Sequence, residues 1–186
     1  SRLKRVIDIL TVYKDIYKSY NISLDLIGQG TERSHLEKYV RENHLTGVTF
    51  YSYLPNEEVK KRMLDADIYI FPSNGYEGWG AVVNEAMQTK CAVIASQETG
   101  AARSMIINGK NGLKYSSGDC NALKEALLKL LDDRRLLESF KEEGYNTITK
   151  IWSSKEAARR FSVIQSRITR EQNIDIFEDG PFAIIR

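Results

Sequence analysis

Two carboxylates are set apart by their surroundings. In the stretch SNGYEGWGAVVNEAMQTKCAVIAS, residues 73–96, Glu77 stands among glycines and Glu85 inside a helical pattern, with seven residues between them. Gly75, Gly78 and Gly80 lower the steric cost of a tight backbone and let a ligand approach closely. A helix beginning near Gly80 and Ala81 would present unpaired N–H groups and the positive end of its dipole, which suits a phosphate. Glu85, one turn after Ala81, shares that helix face, and its side chain leans back toward the helix start. Phosphate would repel it, but vicinal hydroxyls such as those of a ribose could donate two hydrogen bonds to it. Glu77, ahead of the helix, falls on the other side of the phosphate, where the attached group would sit. The layout suits a nucleotide diphosphate carrying a further polyhydroxyl group.

The elements that must position these groups alternate along the chain. Apolar residues at Leu3, Val6, Ile7, Leu10 and Ile16 predict a helix over 3–17. ISLDLIGQG predicts a strand running into a glycine turn, 34–42 a helix, and GVTFYSYL a second strand. Pro55 opens a helix through about residue 64, with Asn56 as its N-cap and Glu57 and Glu58 near its positive end. ADIYIFPS is a short buried strand, 80–89 a helix, 91–96 a strand, and GLKYS a strand after a glycine turn and a short helix. Helices follow over 119–131, 133–150 and 153–169. Strands separated by helices imply right-handed βαβ units and a parallel sheet covered on both faces. In such sheets ligands bind beyond the carboxyl ends of the strands. The GQG, SYLP, SNGYEGWG and SQETGA turns all follow strands, so all four fall on that edge.

Composition narrows the function classes. The 186 residues suffice for one domain with a sizeable core. The formal net charge is +2, from 27 Lys and Arg against 25 Asp and Glu, and nucleic-acid binders usually carry a marked basic excess. Cys91 and Cys120 form no C-x-x-C pair and lie far in sequence from His35 and His44, so neither a zinc site nor a secreted-type disulfide framework is expected. Cys91, within CAVIAS, reads as a small buried hydrophobe. No apolar run approaches the ~20 residues of a membrane helix, and no signal peptide is evident. A reducing, cytoplasmic setting fits. A nucleotide-sugar epimerase would need a G-x-x-G-x-x-G near the start and a Y-x-x-x-K pair, and neither occurs.

FPSNGYEGWGAVVNEAM resembles the E-x7-E signature of retaining glycosyltransferases of the GT-B fold, in the family-four group. LIGQGTERSHLE is similar to that family's glycine turn after its second strand, VTFYSYLPNEEVKKRMLDADIYIFPS to the segment carrying the nucleotide-base pocket, and CAVIASQETGAARSMIINGKNGLKY to the stretch that closes the domain. The landmarks run in order over about 4–161, and the GYEGWGAVVNEAM wording is most like bacterial transferases making capsule, exopolysaccharide or teichoic-type polymers. The resemblance implies an α/β, Rossmann-like doubly wound parallel sheet, the C-terminal half of a GT-B architecture. It divides the chain into a nucleotide-sugar-binding domain over 1–152 with its first strand upstream, a helix over 153–170 that in relatives packs back toward the N-terminal domain, and a tail over 171–186 of unassigned structure.

The resemblance also implies site roles. Glu85 would bind the ribose hydroxyls, and Glu77 would lie by the reacting face of the donor sugar as an orienting and electrostatic group. Gly78, Trp79, Gly80, Ala81 and Val82 would contact the sugar and diphosphate through their backbone. Ser52, Tyr53 and Leu54 would line the base pocket, and Lys4 would hold the diphosphate. The family's arginine falls upstream of Ser1, since Arg2 has the wrong spacing, and Arg103 and Ser104 stand where the family often has Pro-Glu. The implied substrates are a nucleotide diphosphate sugar, UDP-sugar favoured, and a saccharide or lipid-linked acceptor reached through an N-terminal domain outside this chain. No cofactor, metal or nucleic acid is expected, and without the acceptor domain the fragment is expected to be inactive alone. The full-length protein could associate peripherally with the inner face of the cell membrane. A non-catalytic nucleotide-sugar-binding or regulatory module of a transferase complex is the alternative. The plainer readings are an exposed helix residue for Lys4 and a core plug for the Trp79 ring.

Overall fold

In a computed structural model the described residues are 2–170, 172–174 and 176–183, so the expectation for the tail lies partly outside them. Five strands alternate with eight α-helices. The strands are β1 (Leu24–Ile27), β2 (Val48–Tyr51), β3 (Ile68–Phe71), β4 (Ala92–Ser96) and β5 (Leu113–Tyr115). The helices are α1 (Val6–Ile16), α2 (Arg33–Glu42), α3 (Asn56–Asp65), α4 (Val82–Gln88), α5 (Gly100–Met105), α6 (Cys120–Asp132), α7 (Arg134–Asn146) and α8 (Ser154–Thr169). Every pairing is parallel, and the strands form two groups, β1-β2 and β3-β4-β5. Leu24 stands opposite Val48 and Ile27 opposite Tyr51. Ile68 pairs with Ala92, and Ile94 with Leu113.

β4 sits at the centre of the core. All five of its residues are buried, and its alternation sends successive side chains to opposite faces. Val93 and Ala95 join Met63, Phe71, Val83, Met87 and Met105 on one side. Ala92 and Ile94 join Val12, Ile16, Leu123, Leu130 and Phe140 on the other. α1 lies across both strand groups: Leu10 and Tyr13 pack with Leu24 and Leu26, while Val12 and Ile16 pack with Ile68 and Ile70.

Helix ends follow the short polar residues. The Asp119 carboxylate accepts from the Ala122 amide at 2.9 Å, Asp133 from Leu136 at 3.0 Å, and the Ser153 hydroxyl from Glu156 at 3.2 Å. Such caps satisfy amides that have no partner inside the helix. α3 departs from expectation: Pro55 occupies the N-cap and Asn56 is already helical, without a side-chain cap. α7 ends earlier than expected and continues as a π-helical turn, Thr147–Ile151.

The expected single helix over 3–17 is interrupted. Arg2–Lys4 form a 3-10 turn, and Arg5 takes a left-handed conformation with φ 46° before α1 begins. The Arg5 guanidinium holds the buried Asp8 carboxylate at 2.6 and 3.1 Å and lies against Gly118. That anchor compensates for a backbone conformation that costs an L residue free energy.

Candidate functional site

The loop between β3 and α4 is fixed by backbone as much as by side chains. The Asn74 amide donates to the Leu3 carbonyl at 3.0 Å, tying the loop to the 3-10 turn before α1. The Asn74 side-chain oxygen accepts from the Tyr76 amide at 3.1 Å, and its carbonyl from the Glu77 amide at 3.0 Å. Gly80 has φ 87°, and a Cβ there would lie 2.5 Å from the Phe71 ring. Only glycine satisfies both demands.

Further along, the Gly78 and Trp79 carbonyls accept from the Gly100 and Ala101 amides at 3.1 and 2.8 Å, so the start of α5 holds the loop from behind. With those carbonyls turned inward, the amides of Gly78, Trp79, Gly80, Ala81 and Val82 have no acceptor among the described residues. α4 begins at Val82 rather than at Gly80, because Gly80 and Ala81 form the turn that leads into it. The unpaired donors therefore belong to the loop and the first helical residue together.

The sequence-selected side chains converge on this loop. Lys4 is not part of α1. Its ammonium group, carried by the 3-10 turn, pairs with the Glu77 carboxylate and lies 5.8 Å from the centre of the Phe71 ring. The Ser73 hydroxyl donates to Glu77 at 3.4 Å. Glu85 is exposed in the first turn of α4. It borders a cleft of about 360 Å³ lined by Asn84, Gln88, Ile148, Thr149 and Trp152, among others. Burial pushes the Tyr69 hydroxyl pKa up, and the charges of Glu85 and Glu77 push it further, so this phenol stays protonated between the two carboxylates.

Trp79 does not plug the core. Its ring is partly exposed, donates to the Asn84 side-chain oxygen at 3.0 Å, and meets the Trp152 ring at a centroid distance of 5.5 Å. Ser52, Tyr53 and Leu54 follow β2 on the same edge. Tyr53 is strongly exposed, and the Ser52 hydroxyl accepts from Arg33 at 3.0 Å.

Sequence reasoning passed over three contributors. Asn74 anchors the loop. Gly100 permits its approach, since a Cβ there would lie 2.8 Å from the Gly78 carbonyl oxygen. Glu98 accepts from Ser96 at 2.7 Å and from the Ser117 amide at 3.0 Å, with its Cβ against Gly75. The SQETGA turn was placed on this edge by its position after a strand, which was the available signal for the last two.

The arrangement offers a row of free amides, a lysine–glutamate pair at one end and an exposed carboxylate at the other. Among the described residues no helix is long and apolar enough to cross a membrane. An uncharacterised glycosyltransferase of Methanocaldococcus jannaschii is 30% identical over 148 residues, covering 80% of this chain and 39% of the relative. The capsular polysaccharide biosynthesis glycosyltransferase CapM of Staphylococcus aureus is 26% identical over 147 residues, covering 75% of this chain and 36% of the relative. This chain thus spans about two fifths of the length of these relatives. Among solved structures, the C-terminal domain of a group 1 glycosyl transferase family protein, LpcC, from Francisella tularensis is 25% identical, with TM-score 0.74 and 80% of each chain covered. The doubly wound α/β architecture is thus that of the C-terminal half of a GT-B transferase. Residues 1–147 match the family described as "Glycosyl transferases group 1", and the chain belongs to that family.

Proposed function

We propose that this domain binds the donor of a retaining glycosyltransferase that moves a sugar from a nucleotide diphosphate, UDP by preference, to a saccharide or lipid-linked acceptor in cell-surface polysaccharide synthesis. One observation carries the reading: the unpaired amides of residues 78–82 lie between the Lys4–Glu77 pair and the exposed Glu85. The diphosphate rests on those amides, and Lys4 turns from Glu77 toward it. Charge accumulates on the departing diphosphate as the glycosidic bond breaks, and a fixed ammonium group with oriented amides stabilises that charge. Glu77, on the sugar side, orients the hydroxyls near the reacting carbon. Glu85 accepts from the ribose hydroxyls, and Ser52, Tyr53 and Leu54 border the base. The half-exposed α8, with Phe161 and Ile168 open to solvent, packs in the longer protein toward the domain that brings the acceptor.

Titration of UDP into the domain by calorimetry tests this. Glu85→Ala should weaken binding by about 1–3 kcal/mol, since the ribose hydroxyls lose their acceptor. Equal affinity for the two proteins would reject the ribose role of Glu85.

A further inference from the structure

The two strand groups leave two sheet edges open toward each other. β1 pairs only with β2, and β3 only with β4, although helices on both faces join the groups. On one face α1 packs against Leu24 and Leu26 of β1 and against Ile68 and Ile70 of β3. On the other, Arg62 of α3 bonds to Asp25 of β1 at 3.1 Å and stacks on Tyr51 of β2 at 3.7 Å, while its neighbour Met63 packs in the cluster with Tyr69 of β3. A break in the backbone ladder beneath continuous helical cover defines a slot.

Burial agrees. IYIF of β3 is apolar along its whole length, the pattern of a strand covered on both faces. Yet Ile68, Tyr69 and Ile70 are only half-buried, whereas every residue of β4 is buried. Leu24 and Leu26 of β1 are likewise half-buried, and Ile27 is exposed.

Chain direction identifies what fits. In a right-handed βαβ unit a strand enters its crossover helix at the carboxyl edge and runs parallel to the strand that follows. The chain enters α1 at that edge: the Leu3 carbonyl accepts from Asn74, three residues beyond the end of β3. α1 then leads back to β1. A strand lying between β1 and β3, parallel to both, would deliver its carboxyl end where Arg2–Lys4 begin.

We infer that the slot holds a short strand, apolar on both faces, formed by the residues that precede Ser1 in the longer protein, and that it joins the two groups into one sheet in the order β2-β1-strand-β3-β4-β5. This inference stands apart from the proposed function, because it depends on sheet edges and not on the ligand. It also assigns those residues a role at the site. The strand sets the position of the 3-10 turn that carries Lys4.

Hydrogen exchange read by mass spectrometry on the full-length protein tests it. One version keeps the segment before Ser1, and a second replaces it with a Gly-Ser repeat of equal length. Amides of residues 24–27 and 68–71 should exchange about a hundredfold more slowly with the natural segment than with the repeat. Equal exchange in the two proteins overturns the inference. So does a dimer of the Gly-Ser version that protects the same amides, since a second copy would then be the occupant. Should the Gly-Ser version fail to fold, a crystal structure of the natural full-length protein decides. The segment paired with both β1 and β3 supports the inference, and β1 paired directly with β3 overturns it.

Discussion

Replacing Gly80 with alanine tests whether Phe71 sets the shape of the loop that carries Glu77. The φ of 87° at Gly80 lies in the left-handed region, where an L residue costs about 1–2 kcal/mol. A Cβ would also lie 2.5 Å from Phe71 Cε1 and 2.8 Å from Cζ. Phe71 is 4% exposed at the end of β3, so its ring has little room to swing aside, and overpacking of this kind costs about 1–3 kcal/mol. The two contributions together predict a loss of roughly 2–5 kcal/mol, a large share of the ~5–15 kcal/mol that stabilises an ordinary domain. Urea unfolding followed by fluorescence measures it. Gly78→Ala is the internal control: a Cβ there meets nothing within 4 Å, and its φ lies outside the left-handed region, so the change should stay within ~0.5 kcal/mol. Phe71→Leu introduced into the Gly80→Ala protein should recover part of the loss, with a coupling of about 1 kcal/mol or more. Equal losses for the two glycine variants, or strict additivity of Gly80→Ala with Phe71→Leu, would refute the steric reasoning.

Two further outcomes follow from buried and paired groups. Asn111, fully buried, donates to the Met105 carbonyl at 2.9 Å and the Thr147 hydroxyl at 2.8 Å, and accepts from the Ile107 amide at 2.7 Å. Asn111→Ala strands those partners and should cost roughly 2–4 kcal/mol in urea unfolding; a loss below about 1 kcal/mol would mean that water or repacking replaces them. The Glu156 carboxyl, bonded first by Arg159 and then by Arg160, is held down at about 2 from an ordinary 4.5. A lowered folded-state pKa adds stability above the unfolded value that is lost as pH falls through the folded one. The difference in melting temperature between the native protein and Glu156→Gln should therefore shrink as pH drops from 4.5 to about 2. A difference that does not change over that window would contradict the pairing.

The parts of the fold legible in the sequence are those written in local periodicity and punctuation. CAVIAS announces a buried strand because every residue in it suits a site covered on both faces, and Asp119, Asp133 and Ser153 mark helix starts because their oxygens reach the third amide beyond. Gly80 was legible as a site of close approach. That the approaching group is Phe71 was not, since contact across a turn leaves no spacing signal. The meeting of Lys4 with Glu77 was suggested by resemblance alone. Apolar spacing carried the helix through Arg5, and a single left-handed residue, supported by Asp8 and Gly118, redirected Lys4. Helix α4 was expected two residues early because Gly80 and Ala81 fit a helical face in projection, whereas the φ of Gly80 excludes it from one. The division of the strands into two groups left its trace in a chain whose first element is helical. The open edges themselves are long-range features that no local pattern encodes.

The contact of Trp79 with Trp152 makes the molecule its own reporter. These are the chain's two tryptophans, and their indoles meet at 5.5 Å and 48°, one on the glycine loop and the other after the π-helical turn. Chromophores so close and so inclined share their electronic transitions, giving a split circular-dichroism band that vanishes when the rings part. All indole emission of this chain arises at that one place. Whatever seats itself on the loop, or prises it from the helix behind, can be followed in unlabelled protein by light alone.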